Sequence, residues 1–256
     1  MNMKMKIKFR HSNFRRALKN LLISSRQEVV VIEPNLGLGD SIITLGLMRE
    51  LSRKNPDTKF YYCCLHYCYH SIAWMFQDLS NVYLFAIGSG REARQLSGFL
   101  SARYLPIGVV DVDLQRFDAY FYEQHQIPFE QRWLDCEVPP GPKSEALYET
   151  LNPSHEPYLL VCNQESTNIF YDLRIDNPED KKIIWVHPET NNIFDWTKLA
   201  LLADEIHSID TSFVHFLESL FQQESSKPFV KPFYYHLARR SNTEFTRRLP
   251  WQDVRY

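Results

Sequence analysis

The sequence predicts an α/β protein of two lobes, each a parallel sheet flanked by helices. Three observations carry this. A buried-type strand, Glu28 to Ile32, runs through a glycine turn into an amphipathic helix. The alternation of strand and helix patterns recurs on both sides of a proline-rich stretch, which implies parallel strands joined by right-handed crossovers. A chain of 256 residues, 44% hydrophobic and 23% charged, can bury two compact cores.

Residues 1–27 hold Lys4, Lys6, Lys8, Arg10, Arg15, Arg16, Lys19 and Arg26 without one acid, and Phe14, Ala17, Leu18, Leu21 and Leu22 fall at helical spacing. Such a basic amphipathic extension has two readings. It makes a peripheral contact with an anionic membrane surface, or it docks its apolar stripe on the protein's own core.

Residues 28–123 form the first predicted lobe. The strand Glu28 to Ile32 is followed by a turn over Asn35 to Gly39 and a helix over Ser41 to Lys54, with Ile43, Leu47, Met48 and Leu51 on its apolar face. Thr58 to Leu65 reads as a second strand, Ser71 to Gln77 as a helix and Val82 to Ile87 as a third strand. Residues 124–156 are read as the connection, because Pro128, Pro139, Pro140, Gly141 and Pro142 forbid long regular elements. Residues 157–256 form the second lobe. Strands are expected over Tyr158 to Cys162, Lys182 to His187 and Glu205 to Ile209, and helices over Trp196 to Asp204 and Ser212 to Gln222. A further strand over Val230 to Leu237 leads into a tail without regular structure.

Charge and composition exclude several functions. A net charge of −2 and a pI near 6.5 imply no nucleic acid polymer as partner. No apolar run is long enough to span a bilayer, and no secretory signal is recognisable, so a cytoplasmic location is expected. Five cysteines, three of them crowded at Cys63, Cys64 and Cys68, read as reduced core thiols. Eight glycines stand against 14 tyrosines and 17 phenylalanines, which predicts an aromatic interior.

Four constellations could carry chemistry. In Gly37-Leu38-Gly39-Asp40 the glycines allow a tight turn with amides facing outward at the carboxyl edge of a sheet, where ligands of open α/β folds bind. Asp40 either caps the helix or acts on a ligand, and Ser41 could take over the capping. A dinucleotide fingerprint would need a third glycine where Ile42 stands and an acid where Leu65 stands, so a nicotinamide enzyme is not indicated. In the second constellation, Asp210-Thr211-Ser212 precedes His215, and Thr211 and His215 are spaced to share a helix face. That set would either hold a diphosphate on a helix N-terminus or be a capping box beside a surface histidine. The third, His187 to Asn192, clusters Thr190, Asn191 and Asn192 after a strand, suited to ribose and phosphates or simply to a polar loop. The fourth, Cys63, Cys64, His66, Cys68 and His70, looks like a metal tract. On a strand it cannot close a tetrahedron, and no metal is expected.

Leu38 to Ile42, Leu-Gly-Asp-Ser-Ile, resembles the Gly-Asp motif of the heptosyltransferase-like GT-B glycosyltransferases. Asp210 to His215 resembles their Asp-Thr-Gly-x-x-His motif, and Pro188 to Lys198, with Trp196, a segment preceding a donor-lobe helix. The resemblance implies a two-lobed fold facing a cleft and transfer of a sugar from a nucleotide-sugar to a glycan, lipid or protein hydroxyl, without cofactor or essential metal. Asp40 would be the general base, and Thr190, Asn191, Asn192, Asp210, Thr211, Ser212 and His215 would hold the donor, with Gly37 and Gly39 shaping the loop. Ser212 replaces the motif's glycine, Gly46 stands where proline is common, and Lys198, Arg239 or Arg240 would supply the family's donor-neutralising cation. The alternative is a non-catalytic protein that kept the fold to bind a nucleotide-sugar or a partner.

Overall fold

The computed structural model describes residues 27–35, 37–223, 231–239 and 243–256. Apart from Gln27, the basic extension lies outside the described residues, as do Leu36 and Arg240. Among the described residues the first sheet has strands β1 (Val29–Pro34), β2 (Lys59–Leu65), β3 (Val82–Ile87) and β4 (Arg103–Ile107), all parallel in the order β3-β2-β1-β4. The second has β5 (Tyr158–Cys162), β6 (Lys182–Trp185), β7 (Glu205–Ile209), β8 (Phe233–His236) and β9 (Trp251–Val254), parallel in the order β6-β5-β7-β8-β9. The helices are α1 (Leu38–Ile43), α2 (Leu45–Lys54), α3 (Tyr69–Met75), α4 (Gly90–Leu100), α5 (Phe117–Glu123), α6 (Gln131–Leu134), α7 (Ser144–Leu151), α8 (Thr197–Leu202) and α9 (Ser212–Gln223).

β1 sits between β2 and β4 and is buried along its whole length, so its β-branched run packs on both faces as a central parallel strand must. Cys63 and Cys64 are neighbours on β2 and therefore face opposite ways. Cys63 joins the cluster of Val29, Val31 and Tyr61, and Cys64 and Cys68 join the main core. The expected aromatic interior is present: Tyr62, Tyr122, Tyr158, Phe60, Phe121, Phe213, Phe216 and Phe233 are fully buried. Their phenols are satisfied, Tyr122 by the Ile43 carbonyl at 2.7 Å and Tyr158 by the Leu199 carbonyl at 2.7 Å.

Several elements differ from expectation. The single helix over Ser41 to Lys54 is two helices. It begins earlier, at Leu38, and breaks at Thr44, where the Tyr122 hydroxyl takes the Ile43 carbonyl and Tyr62 bonds the Thr44 hydroxyl at 3.1 Å. Helix α4 and strand β4 went unpredicted, and the proline-rich connection still holds α6 and α7. A Cβ on Gly46 would meet the Gln131 carbonyl oxygen at 2.0 Å, so the glycine lets α2 pack against the backbone of α6. The expected irregular tail contributes β9 and also reaches back to the first lobe. Glu244 exchanges backbone bonds with Leu114 (2.7 Å) and Phe117 (3.1 Å), and the Thr246 amide donates to Asp118 Oδ2 at 2.8 Å.

The two sheets share one continuous apolar core, which runs from Val30 and Ile32 through Phe121 to Leu160, Phe213 and Phe233. Among the described residues, no helix is long and apolar enough to cross a membrane.

Candidate functional site

A cleft of about 850 Å³ opens between the carboxyl ends of the two sheets. It brings together Gly37, Gly39, Asp40, Thr190, Asn191, Asp210, Thr211, Ser212 and His215. Asn192 is not part of its lining. That side chain is buried and caps the turn before α8, accepting the Phe194 amide at 3.1 Å. Thr190 lines the cleft and also ties its own loop, donating to the Asn192 carbonyl at 3.0 Å.

Asp40 lies in the first turn of α1, three residues past the N-cap Gly37, and its Oδ2 accepts the Gly37 amide at 3.1 Å. Ser41 does not relieve it of that bond, as its hydroxyl donates to the Gly37 carbonyl at 3.1 Å and is buried. Asp40 is thus both the partner of the first turn and a cleft residue. Its side chain keeps some surface toward the cleft while protein surrounds it on the other sides. The resulting loss of hydration pushes its pKa up to about 7. The Gly37 amide opposes the rise and the Asp210 carboxylate across the cleft adds to it.

Gly39 has a role the sequence did not suggest. A Cβ there would lie 2.7 Å from His215 Cδ2 and 3.4 Å from the Ser212 Cα, so the glycine lets α1 press directly against α9. His215 is consequently buried in the seam between the lobes, edge-on to Phe245, with Nδ1 3.5 Å from Arg132 Nη2. Burial and the Arg132 guanidinium hold it well below the usual histidine range, so it is a neutral imidazole. Of the reading of a capping set beside a surface histidine, the cap is present at Thr211 and the histidine is buried. Thr211 sits before the helix, and its hydroxyl accepts the Phe213 amide at 3.3 Å while its carbonyl accepts the Val214 amide at 3.1 Å. Two of the first-turn amides expected to face a ligand are already engaged.

Beneath the seam, Arg132 pairs with Asp118 and stacks on Trp133 at 4.3 Å, all buried. Of the cation candidates, Lys198 is drawn off to Glu145 and Glu149 and does not line the cleft. Arg239 does line it, holding the Asp210 carbonyl and Glu165 (Nε–Oε2 2.7 Å). Tyr67, which lay in the apparent metal tract, lines the cleft and is 66% exposed. The signal available was an aromatic residue two positions past a strand that ends at the ligand edge of the sheet.

No family model matches the sequence, nor does any curated protein. Solved structures do match. The glycosyl transferase family 9 protein from Veillonella parvula DSM 2008 is 10% identical, with a TM-score of 0.54, and the match covers 90% of this chain and 86% of that one. The E. coli ADP-heptose lps heptosyltransferase II is 10% identical, with a TM-score of 0.50, over 89% and 90% of the two chains. This protein therefore has the two-lobed α/β fold of the GT-B heptosyltransferases.

Proposed function

We propose that this chain is a glycosyltransferase that moves a sugar from a nucleotide-sugar to an acceptor hydroxyl, with Asp40 as general base. One observation carries the proposal: a carboxyl of raised pKa on one lobe shares a cleft with a helix N-terminus and an arginine on the other. A base works best with a pKa near the working pH, and burial has moved Asp40 there. In the reaction the acceptor oxygen forms a bond to the anomeric carbon as its proton passes to the Asp40 carboxylate. The bond from that carbon to the donor phosphate breaks, and the electron pair leaves with the nucleoside diphosphate. The start of α9 at Ser212, together with Arg239, would stabilise the charge growing on that leaving group. Thr190 and Asn191 would contact the rest of the donor. No metal is essential on this reading, so a chelator should leave turnover unchanged. On this reading the reaction takes place in the cytoplasm.

The test is a screen of nucleotide-sugars for slow hydrolysis by the purified full chain, with Asp40→Asn beside it. One donor should be hydrolysed by the parent and bound with similar affinity by the variant, which turns it over at least about a hundred times more slowly. Equal turnover by both, or no nucleotide-sugar bound by either, would end the proposal.

A further inference from the structure

The first sheet has a second face, opposite the main core. Val29 and Val31 of β1 and Tyr61 and Cys63 of β2 point to it, and they meet Ala93 and Leu96 of α4 in a small core of their own. Among the described residues, that core is built by β1, β2, β3 and the one helix α4, which lies chiefly over β1. Register carries the face on to the edge strand, where Tyr83 pairs with Tyr61 and Phe85 with Cys63. The rings of Tyr61 and Tyr83 lie 5.6 Å apart, yet Tyr83 is 43% exposed and Phe85 only half-buried. A parallel sheet normally carries helices on both faces along its whole width, and here the β3 side of one face is left apolar and open.

We propose that this strip of β2 and β3 is the docking site of the chain's own residues 13–24, whose apolar stripe closes over Tyr83 and Phe85 beside α4. Residues 1–26 lie outside the described residues, but the point where they join is fixed. The Lys59 amide donates to the Glu28 carbonyl at 2.9 Å, the Thr58 hydroxyl donates to Glu28 Oε2 at 3.3 Å, and Arg103 Nε lies 3.1 Å from Glu28 Oε1. The segment therefore leads into the amino end of β1 directly beside β2, and Val29 already faces the open side. As a helix, residues 13–24 would be about 18 Å long. That matches the roughly 20 Å of a strand such as β3 (Val82–Ile87). Phe14, Ala17, Leu18, Leu21 and Leu22 recur at the spacing of one helix face, and Arg16 and Lys19 would then point to water. With its end held at Glu28, the segment meets this face at an effective concentration of about millimolar, an advantage that neither a membrane nor a second copy of the chain shares.

Photo-crosslinking in the full chain tests this, with p-benzoylphenylalanine in place of Tyr83. Irradiation should join position 83 to a peptide within residues 13–24 of the same chain, with no species of twice the mass. Leu18→Asp puts a charge into the stripe and should cut the yield at least about tenfold, whereas Lys19→Glu on the opposite side should change it by no more than about twofold. Hydrogen exchange reads the same contact without the photoreactive group. Amides of residues 14–22 should exchange at least about tenfold more slowly in the parent than in Leu18→Asp. Tyr83→Asp, which alters the exposed edge of the face and leaves the segment intact, should speed them likewise. Sedimentation with vesicles of phosphatidylcholine and phosphatidylserine should leave the parent in the supernatant. A crosslink between two chains would give the face to a second copy, and sedimentation that Lys19→Glu abolishes would give the segment to the membrane. Either result overturns the proposal, as does the absence of any crosslink to residues 13–24 or exchange in the parent as fast as in both variants.

Discussion

The two walls of the cleft differ in how their polar groups are treated. On the second-lobe wall, polar groups are tied to the protein itself: Thr211 to the Phe213 amide, Thr190 to its loop, and Arg239 to Glu165 and the Asp210 carbonyl. On the first-lobe wall a mostly apolar surface surrounds Asp40, whose one backbone bond does not compensate for lost water. The second wall is assembled to hold charge at little cost. The first keeps one carboxyl poorly hydrated and is the side that would react in the proposed transfer.

The sharpest way to break this division is Asp40→Asn, where at least about a hundredfold loss of turnover with unchanged donor affinity is expected. Comparable losses in both quantities would mean that the walls do not divide the labour. The parent's turnover should also rise with pH through about 7, because the base must be ionised and its pKa is raised. Asp210→Asn should move that midpoint to lower pH by removing a like charge, and a midpoint that stays fixed would uncouple the walls.

The same variant should separate stability from activity. A carboxyl whose folded pKa is raised above its unfolded value contributes stability that is whole below about pH 3.8 and is lost as pH rises through about 7. At pH 8, Asp40→Asn should therefore unfold at higher denaturant concentration, by on the order of 2 kcal/mol, and the gain should vanish near pH 3.5. A variant less stable than the parent at pH 8 would show that the Gly37 bond outweighs the desolvation. Arg239→Gln should weaken donor binding about tenfold, as titration calorimetry would read. An unchanged donor affinity would remove Arg239 from the donor site. Thr211→Ala should have the smallest effect, about 1 kcal/mol of stability, because it removes a helix cap. A large loss of donor affinity in that variant would instead give the hydroxyl to the ligand.

Much of the frame was legible in the sequence because buried parallel strands announce themselves. The β-branched Val29 to Ile32 and the apolar Tyr158 to Cys162 could be little else. β4 was not legible, since Arg103 and Pro106 interrupt its pattern and its place is secured by pairing with β1. That Asp40 and the residues around the helix start at Asp210 would line one cleft was an expectation of the family resemblance, not of spacing alone. The fate of His215 was not. A histidine in the first turn of an amphipathic helix reads as exposed unless the second lobe's contact with Gly39 is known, and that contact is tertiary. Tyr67 was hidden by its company, because Cys63, Cys64, His66 and Cys68 drew attention to sulfur and imidazole instead of to an exposed tyrosine that lines the cleft.

The strap formed by residues 243–246 has a consequence for biosynthesis. The first sheet and strands β5 to β8 precede the strap in the chain, yet the backbone bonds of Glu244 to Leu114 and Phe117 join partners more than a hundred positions apart. A nascent chain halted before that stretch would lack β9 at the edge of the second sheet, and the Asp118 carboxylate would lack the Thr246 amide. Competence to bind would arrive in a single late step, after the ribosome has released nearly everything else.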